Sequence, residues 1–390
     1  MSEVSFRALG ASADVAQVLA ARDIIIPFPI QELVLPDAIA GIDILAKSPT
    51  GSGKTLAFGV PIVERTARDA TRPAALILVP TRELAQQVAE ALRLVGGARG
   101  LRVAAVFGGA PLGPQAKRAR EAHIVIATPG RLQDLLDRKL LSVAAVSILI
   151  LDEADRMLDM GFKPQVEKIV ARLPRDRQTM LFSATLDGEV GELARAFTRN
   201  PSHFEAALPS HAEQGEIDHK FVGVTADGKL DTLIQELEAD RGLALIFVRT
   251  KRGADRLTEK LVRRDVAAVA LHGDMSQNAR DRALARFREG KVRTLVATDV
   301  AARGLDLAEI THVINYDPPA DDTSYVHRIG RTGRAGRGGS GITLVLPEQQ
   351  ADVSRVAMRL GHVEQFEREG LAVARPRKVY TSRRGRRSRW

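Results

Sequence analysis

The sequence predicts an α/β protein built as two tandem domains, each a mostly parallel sheet flanked by helices, followed by a basic, disordered C-terminal tail. Three observations lead there. Short apolar runs alternate with stretches of helical periodicity along most of the chain, the pattern of repeated strand-helix units. Several of these runs end in polar or glycine-rich clusters (PTRE, TPGR, DEAD, SAT), as strands do at the carboxyl edge of a parallel sheet, where ligands gather. Finally, 390 residues exceed the usual span of one hydrophobic core.

Composition narrows the classes further. Apolar residues make up 45% and charged residues 27%, an ordinary globular balance that excludes disorder throughout. The absence of cysteine excludes disulfides, thiolate zinc sites and thiol nucleophiles, and fits a reducing cytoplasm, the expected location. No apolar run approaches the roughly 18 residues of a membrane helix, and the start MSEVSFRALG lacks a signal-peptide pattern, so no membrane role is expected. The net charge of +9 is concentrated at the end, where residues 375–390 hold seven arginines and Lys378 without an acid. Such a run has too little apolar content to fold, yet can track a phosphate backbone. A solubilising end is the other reading of it.

Taken in order, the expected strands of the first domain are Asp43 to Ala46, Ala75 to Val79, Val103 to Phe107, Ile124 to Ala127, Ile148 to Leu151 and Thr179 to Phe182. A second series runs through His219 to Val224, Leu243 to Val248, Ala267 to Leu271, Thr294 to Ala297, His312 to Asn315 and Ile342 to Leu346. Between them LPSHAEQGEID is polar, contains Pro209 and Gly215, and has neither period. The expected division is therefore a first domain over 1–207, a linker over 208–217, a second domain over 218–365 and a tail over 366–390.

The strongest local signal is Ser48-Pro49-Thr50-Gly51-Ser52-Gly53-Lys54-Thr55, set between an apolar strand and the helical stretch Leu56 to Arg65. Glycines let successive backbone N–H groups turn toward phosphate oxygens, and the following helix adds positive potential at its N-terminus. Thr50, Gly51, Ser52 and Gly53 would form the cradle, with Lys54 reaching the β- and γ-phosphates and Thr55 holding magnesium. Ser48 stands where the commonest phosphate loop has its first glycine. About a hundred residues on, an apolar strand runs into Asp152-Glu153-Ala154-Asp155. Carboxylates at a strand end suit hydrated magnesium and an attacking water, so Asp152 is assigned to the metal through water and Glu153 to the water that attacks.

PTRELA at 80–85, Gly108-Gly109, TPGR at 128–131, DEAD at 152–155, SAT at 183–185, ATDVAARGLD at 297–306 and HRIGRTGR at 327–334 occur in this order. Together they resemble the DEAD-box ATP-dependent RNA helicases of superfamily 2, in a bacterial-type, short-tailed form, over roughly residues 6–346. The resemblance implies two RecA-like domains, with ATP as substrate and Mg2+ as its companion ion. It also implies an adenine-selecting segment, Pro27 to Gln31, in which the Gln31 amide meets the adenine edge and Phe6 stacks on the base. Asp23 departs from this pattern, since the family commonly has glycine there.

Further roles follow from the resemblance alone. Arg331 and Arg334 would reach the γ-phosphate from the second domain, Asp306 would meet the ribose, and His327 would meet the region around Asp155 and the segment holding Ser183 and Thr185. The hydroxyls of Ser183 and Thr185 also suit a simple helix-capping role. RNA backbone contacts fall to Thr81, Arg82, Gly109, Thr128 and Arg131 in the first half and to Thr250, Gln277, Arg280 and Thr298 in the second. Such contacts address phosphate and sugar, so little sequence preference is expected. The implied function is ATP-dependent unwinding of short RNA duplexes, or remodelling of RNA–protein complexes, by closure of the domains, with ribonucleoprotein partners possible. An ATP-gated RNA clamp that separates little duplex is the alternative.

Overall fold

Runs such as Ala75–Leu78 and Ile148–Asp152 are buried at every position, without alternation, which a strand tolerates only where helices cover both faces of its sheet. The computed structural model describes residues 4–48, 52–205, 217–238, 241–302, 309–319, 321–333, 338–368 and 370–373. The chain divides into two compact units, Met1–Ser210 and His211–Trp390.

In the first unit the helices are α1 (Ala13–Ala20), α2 (Pro29–Ala40), α3 (Lys54–Arg65), α4 (Arg82–Ala98), α5 (Leu112–Glu121), α6 (Pro129–Asp137), α7 (Ala154–Asp159), α8 (Lys163–Val170) and α9 (Gly188–Phe197). They flank strands β1 (Ile44–Lys47), β2 (Ala75–Leu78), β3 (Val103–Val106), β4 (Ile124–Ala127), β5 (Ile148–Asp152), β6 (Gln178–Ser183) and β7 (Ser202–Glu205). All pairings are parallel, in the order β3-β4-β2-β5-β6-β1-β7. Alternate strand residues feed two apolar cores, one on each face: Ile77, Ile126 and Ile150 on one side, Leu76, Val125 and Leu149 on the other. Sequence reasoning missed β7, a four-residue edge strand whose SHFE is half exposed and pairs only with β1. Its position is fixed by Asp43, whose carbonyl accepts from Ser202 N (2.8 Å) while its carboxylate accepts from Thr179 N (2.7 Å) and Arg199 N (2.6 Å).

The second unit repeats the plan. Its strands are β8 (Ile217–Gly223), β9 (Leu243–Val248), β10 (Ala268–Leu271), β11 (Thr294–Thr298), β12 (Ile310–Asn315) and β13 (Gly339–Val345), in the parallel order β10-β11-β9-β12-β13-β8. The helices are α10 (Lys229–Glu238), α11 (Lys251–Val262), α12 (Gln277–Arg288), α13 (Asp299–Ala302), α14 (Asp322–Ile329), α15 (Gln350–Arg359) and α16 (Val363–Arg368).

Two expected boundaries move. Ile217 and Asp218 already pair with Gly339 and Ser340, so strand structure begins inside the sequence expected as linker; residues 208–216 lie outside the described residues. At the other end, Phe366 is fully buried edge-on against Phe221, with ring centroids 5.3 Å apart, and Leu371 and Val373 pack on the same core. A tail starting at 366 is therefore corrected: three apolar side chains in a charged stretch hold it to the domain. Residues 374–390, with the basic run, lie outside the described residues.

Beneath α14, His219 of β8 stacks on His362 at 3.8 Å between centroids, and its Nδ1 shares a hydrogen bond with the Tyr325 hydroxyl at 2.8 Å. Burial, and then repulsion from His362, push His219 down to about 4, and burial lowers His362 as well. In the unfolded chain such a histidine takes a proton near pH 6.5, whereas the folded one stays neutral to about 4. The contribution to stability is thus complete above pH 6.5 and lost as the pH falls toward 4. The melting temperature of the wild type is expected to drop across that window more steeply than that of His219→Phe, in which Tyr325 keeps its bond to Thr343. Parallel pH profiles for the two proteins would refute the assignment.

Candidate active site

β1 delivers the chain into the phosphate loop and α3 receives it, with Pro49, Thr50 and Gly51 outside the described residues. Gly53 caps α3 at φ +87°, and a methyl group on it would lie 2.6 Å from Gln31 Nε2 and 2.7 Å from Phe28 Cδ2. Only glycine meets both demands. The buried Lys54 ammonium donates to the Ser48 carbonyl at 3.0 Å. Ser48, the residue in place of the usual glycine, braces the loop. Its N–H donates to the Ser183 carbonyl at 2.9 Å, and its hydroxyl shares a 2.5 Å hydrogen bond with that of Ser52. Thr55 follows in the first turn of α3, half-buried.

β5 ends in Asp152, which is buried and whose Oδ1 has no hydrogen-bond partner. Burial pushes its carboxyl up to about 7; Lys54 opposes this, while Glu153 and Asp155 add to it. A buried carboxylate oxygen without a partner, beside the hydroxyl-bearing start of α3, fits a hydrated cation. Glu153 adopts left-handed backbone angles (φ +53°, ψ +52°), which cost a non-glycine residue about 1–2 kcal/mol. The turn aims its buried carboxylate at Arg156, and the two form an ion pair. Asp155 accepts from Ala184 N (3.1 Å) and Arg156 N (2.9 Å), while its own N–H donates to the Ser183 hydroxyl (3.2 Å). The last acid of DEAD is thereby tied to SAT. The Ser183 hydroxyl, by accepting from Asp155 N, serves the first turn of α7 and not that of α9, whose N-cap position is held by Asp187 without a side-chain bond; Thr185 is exposed.

Gln31 is buried in the first turn of α2, its Oε1 accepting from Phe28 N (2.9 Å) and its Nε2 donating to the Gly53 carbonyl (2.9 Å). One lone pair and one N–H remain, the pair that an adenine edge requires. Phe6 requires a correction: at 3% exposure it belongs to the core beside Val15, Leu19 and Ile30, so in this structure its ring is not offered to a base. Apolar burial outweighs stacking where a ring can reach the core. Asp23 sits at φ +59°, the conformation for which glycine is the usual choice and which aspartate tolerates better than most residues.

The candidates for RNA contact in this unit end β2, β3 and β4. Thr81 is the N-cap of α4, its hydroxyl accepting from Leu84 N at 3.2 Å. Arg82 lies beside the Gly108-Gly109 turn, where Gly109 has φ +87° and a methyl group on it would collide with Arg82 Nη1. Buried Gln115 fixes that turn by binding both the N–H (2.8 Å) and the carbonyl (3.0 Å) of Phe107, and Arg131 donates to the Ala110 carbonyl at 2.8 Å. Thr128 is buried at the start of α6. Gly109→Ala is expected to weaken single-stranded RNA binding about tenfold, the scale of one lost charge-assisted contact, with ADP affinity unchanged. Fluorescence anisotropy with a labelled oligonucleotide reads the first, calorimetry the second.

In the second unit Thr250 repeats the role of Thr81, capping α11 through a bond from Gly253 N at 2.9 Å. Arg280 is buried, with Nη1 donating to the His272 carbonyl (3.1 Å); Gln277 Nε2 bonds Asp281 (2.8 Å) and Thr298 ends β11, buried. Of the HRIGRTGR arginines, Arg328 is committed to the fold. It forks onto Asp299 at 2.6 and 2.7 Å and bonds Asn315 Oδ1 (3.0 Å) and the Asp317 carbonyl (2.7 Å). Arg331 is buried with Nε donating to the carbonyl of half-buried His327 at 3.3 Å. Arg334 and Asp306 lie outside the described residues. Sequence reasoning missed Arg156, Gln115 and the structural role of Arg328; Arg156 left a signal in its spacing of three from Glu153, and Arg328 in its place within HRIGRTGR.

The sheet orders sort these residues. In the first unit the phosphate loop, DEAD and SAT follow the adjacent strands β1, β5 and β6, while PTRE, the glycine pair and TPGR follow β2, β3 and β4. In the second, Thr250 and Arg280 follow β9 and β10 and Thr298 ends β11, whereas HRIGRTGR lies between β12 and β13. Such an arrangement defines a phosphate-loop nucleotide-binding protein with a separate row of groups suited to a polyanion. Residues 28–193 match the family described as DEAD/DEAH box helicase, and 228–336 match the helicase conserved C-terminal domain. The chain belongs to the DEAD-box helicase family, and both units are RecA-like.

Among its relatives, the DEAD-box ATP-dependent RNA helicase CshA of Streptococcus pneumoniae is 44% identical over 348 residues, which cover 89% of this chain and 66% of that protein. CshA of Bacillus licheniformis is 40% identical, covering 89% of this chain and 72% of its own length. S. cerevisiae Dbp5 bound to RNA and ADP BeF3 superposes with a TM-score of 0.81 at 31% identity, covering 92% of this chain and 94% of that one. The chain thus spans slightly under two thirds of the length of the S. pneumoniae relative.

Proposed function

We propose that this chain is an RNA-dependent ATPase that couples ATP hydrolysis to local unwinding of short RNA duplexes, or to remodelling of RNA–protein complexes, through closure of its two units. The observation that carries the reading is the division of strand ends between phosphate-loop chemistry and polyanion contacts, with Asp155, Ser183 and Ala184 bonded where the first group is assembled. Its family membership, and the RNA and nucleotide analogue in the Dbp5 complex, support it.

In this mechanism Lys54 leaves the Ser48 carbonyl for the β- and γ-phosphates, and Gln31 uses its remaining donor and acceptor on adenine. Glu153 orients the attacking water. Thr55 and, through water, Asp152 would hold Mg2+, which when bound neutralises charge on the phosphate oxygens. Asp306 meets the ribose, and Arg331 and Arg334 approach the γ-phosphate, so that ATP and RNA each favour the closed state and thereby each other. Thr81, Arg82, Gly109, Thr128 and Arg131, with Thr250, Gln277, Arg280 and Thr298, hold phosphate and sugar, giving little sequence preference. The arginines of 375–390 add affinity that weakens with salt. On this reading the protein works on RNA in the cytoplasm, where RNA–protein complexes are its candidate partners. Among the described residues no helix is long and apolar enough to cross a membrane.

The test is ATP turnover with RNA and with DNA of equal sequence. RNA is expected to stimulate and DNA not; turnover indifferent to RNA overturns the proposal. Strand separation measured beside hydrolysis on one short duplex then distinguishes unwinding from an ATP-gated clamp, which would hydrolyse without separating.

A further inference from the structure

α6 stops on a residue that its geometry does not favour. Lys139 follows the C-cap Arg138 at φ +56°, its N–H donating to the Leu136 carbonyl (3.0 Å) while Leu140 N donates to that of Leu135 (2.9 Å). Glycine is the usual choice for this kind of helix stop, because a side chain there strains the backbone. A lysine at such a position is accounted for by what its side chain borders.

What it borders is an open groove of about 460 Å³, a size that holds ligands elsewhere. Leu140, Leu141 and Val143 form its floor, an outward continuation of the apolar core beneath α5, α6 and α8. Lys139, Arg120 and Arg172 stand around it. Arg172 is paired with Asp137 at 2.5 Å, and Glu121 beside Arg120 reaches Arg102 instead. Among the described residues the exposed side chains of Arg120 and Lys139 pair with no acid, so the groove carries a surplus of positive charge. Leu141 and Ser142 run along it without regular structure, and among the described residues no backbone hydrogen bond engages either one.

An apolar floor, spare cations and unpaired peptide groups together match an extended peptide in which acidic and apolar side chains alternate. No aromatic ring lines the groove for a base to stack on, which disfavours a nucleic-acid strand. The chain's own basic run at 375–390 would be repelled. Arg120, the segment from Lys139 to Ala144 and Arg172 precede β4, β5 and β6, which places the groove at the amino edge of the first sheet. The phosphate loop, DEAD and SAT follow the carboxyl ends, so an occupant of the groove leaves them open.

We propose that this groove is a docking site for an extended, acidic and apolar segment of a partner protein. The experiment is selection of a displayed library of random decapeptides on the full chain, followed by fluorescence anisotropy of the recovered peptides. Those peptides are expected to interleave aspartate or glutamate with leucine, isoleucine or valine. They should bind the double variant Arg120→Glu/Lys139→Glu at least about tenfold more weakly, the effect of losing charged hydrogen-bond donors. Replacing their apolar residues by serine should abolish binding. Lys139→Gly should melt at a higher temperature than the wild type yet bind the peptides more weakly, a pairing that a purely structural lysine would not give. The proposal is overturned by a library that yields no such consensus, by equal binding to the double variant, or by affinity that survives the serine replacement. It is overturned as well if single-stranded RNA loses as much affinity for the double variant as the peptides do, or if sedimentation shows self-association that the double variant abolishes.

Discussion

Glu153→Gln is expected to lower RNA-stimulated ATP turnover by about 10² to 10⁴-fold, the contribution of a positioned general base, while ADP affinity stays near wild type. The isosteric amide keeps the shape of the side chain and the left-handed turn but removes the charge that polarises water. It also removes half of a buried ion pair. Arg156, 5% exposed, would face a neutral amide, a loss of about 2 kcal/mol that should appear as a lower melting temperature. The two effects separate in Arg156→Met, which shares the loss of the ion pair but keeps the Glu153 carboxyl, and should retain much more turnover than Glu153→Gln. Equal turnover in Glu153→Gln and wild type would remove Glu153 from the chemistry.

The second large effect concerns the arginines of HRIGRTGR, which split into two kinds. On the proposed function, Arg331→Ala is expected to reduce kcat by about 10³-fold or more, as loss of a cationic finger does, with ADP affinity little changed. Arg328→Ala should instead destabilise the second unit by about 3 kcal/mol, because Asp299 and Asn315 lose their shared partner in a largely buried network. Single-turnover hydrolysis at a temperature well below the melting point of either variant separates them. A wild-type kcat in Arg331→Ala would exclude its part in phosphate cleavage.

Strands buried on both faces were legible because nothing but a covered parallel sheet suits an unbroken apolar run, as at Ile148–Asp152. β7 was not, since a short half-exposed edge strand has no pattern to distinguish it from a loop, and Asp43 secures it through backbone bonds that leave no periodic signal. Likewise the loop lysine, the acids and Gln31 stood out by type and spacing, whereas their supports did not. Gln115 grips Phe107 from eight residues away in sequence, and Arg328 meets Asp299 from 29. Phe6 shows the opposite error, in which a residue of the right type and place is taken into the core by apolar packing. Three apolar residues past 365 were hidden by the charge around them.

On the proposed function, the grouping of strand ends gives each unit a fuel side and a cargo side along one edge of its sheet. On the same reading, drift in the loops after β2, β3 and β4 would alter what polymer is gripped without passing through the residues assigned to the phosphoanhydride, and the converse would hold beyond β5, β6 and β1. A lineage built on such a plate can change its clientele while its engine stays fixed, and a chimera exchanging only the cargo-side loops would inherit the donor's taste in strands and keep the recipient's rate of burning.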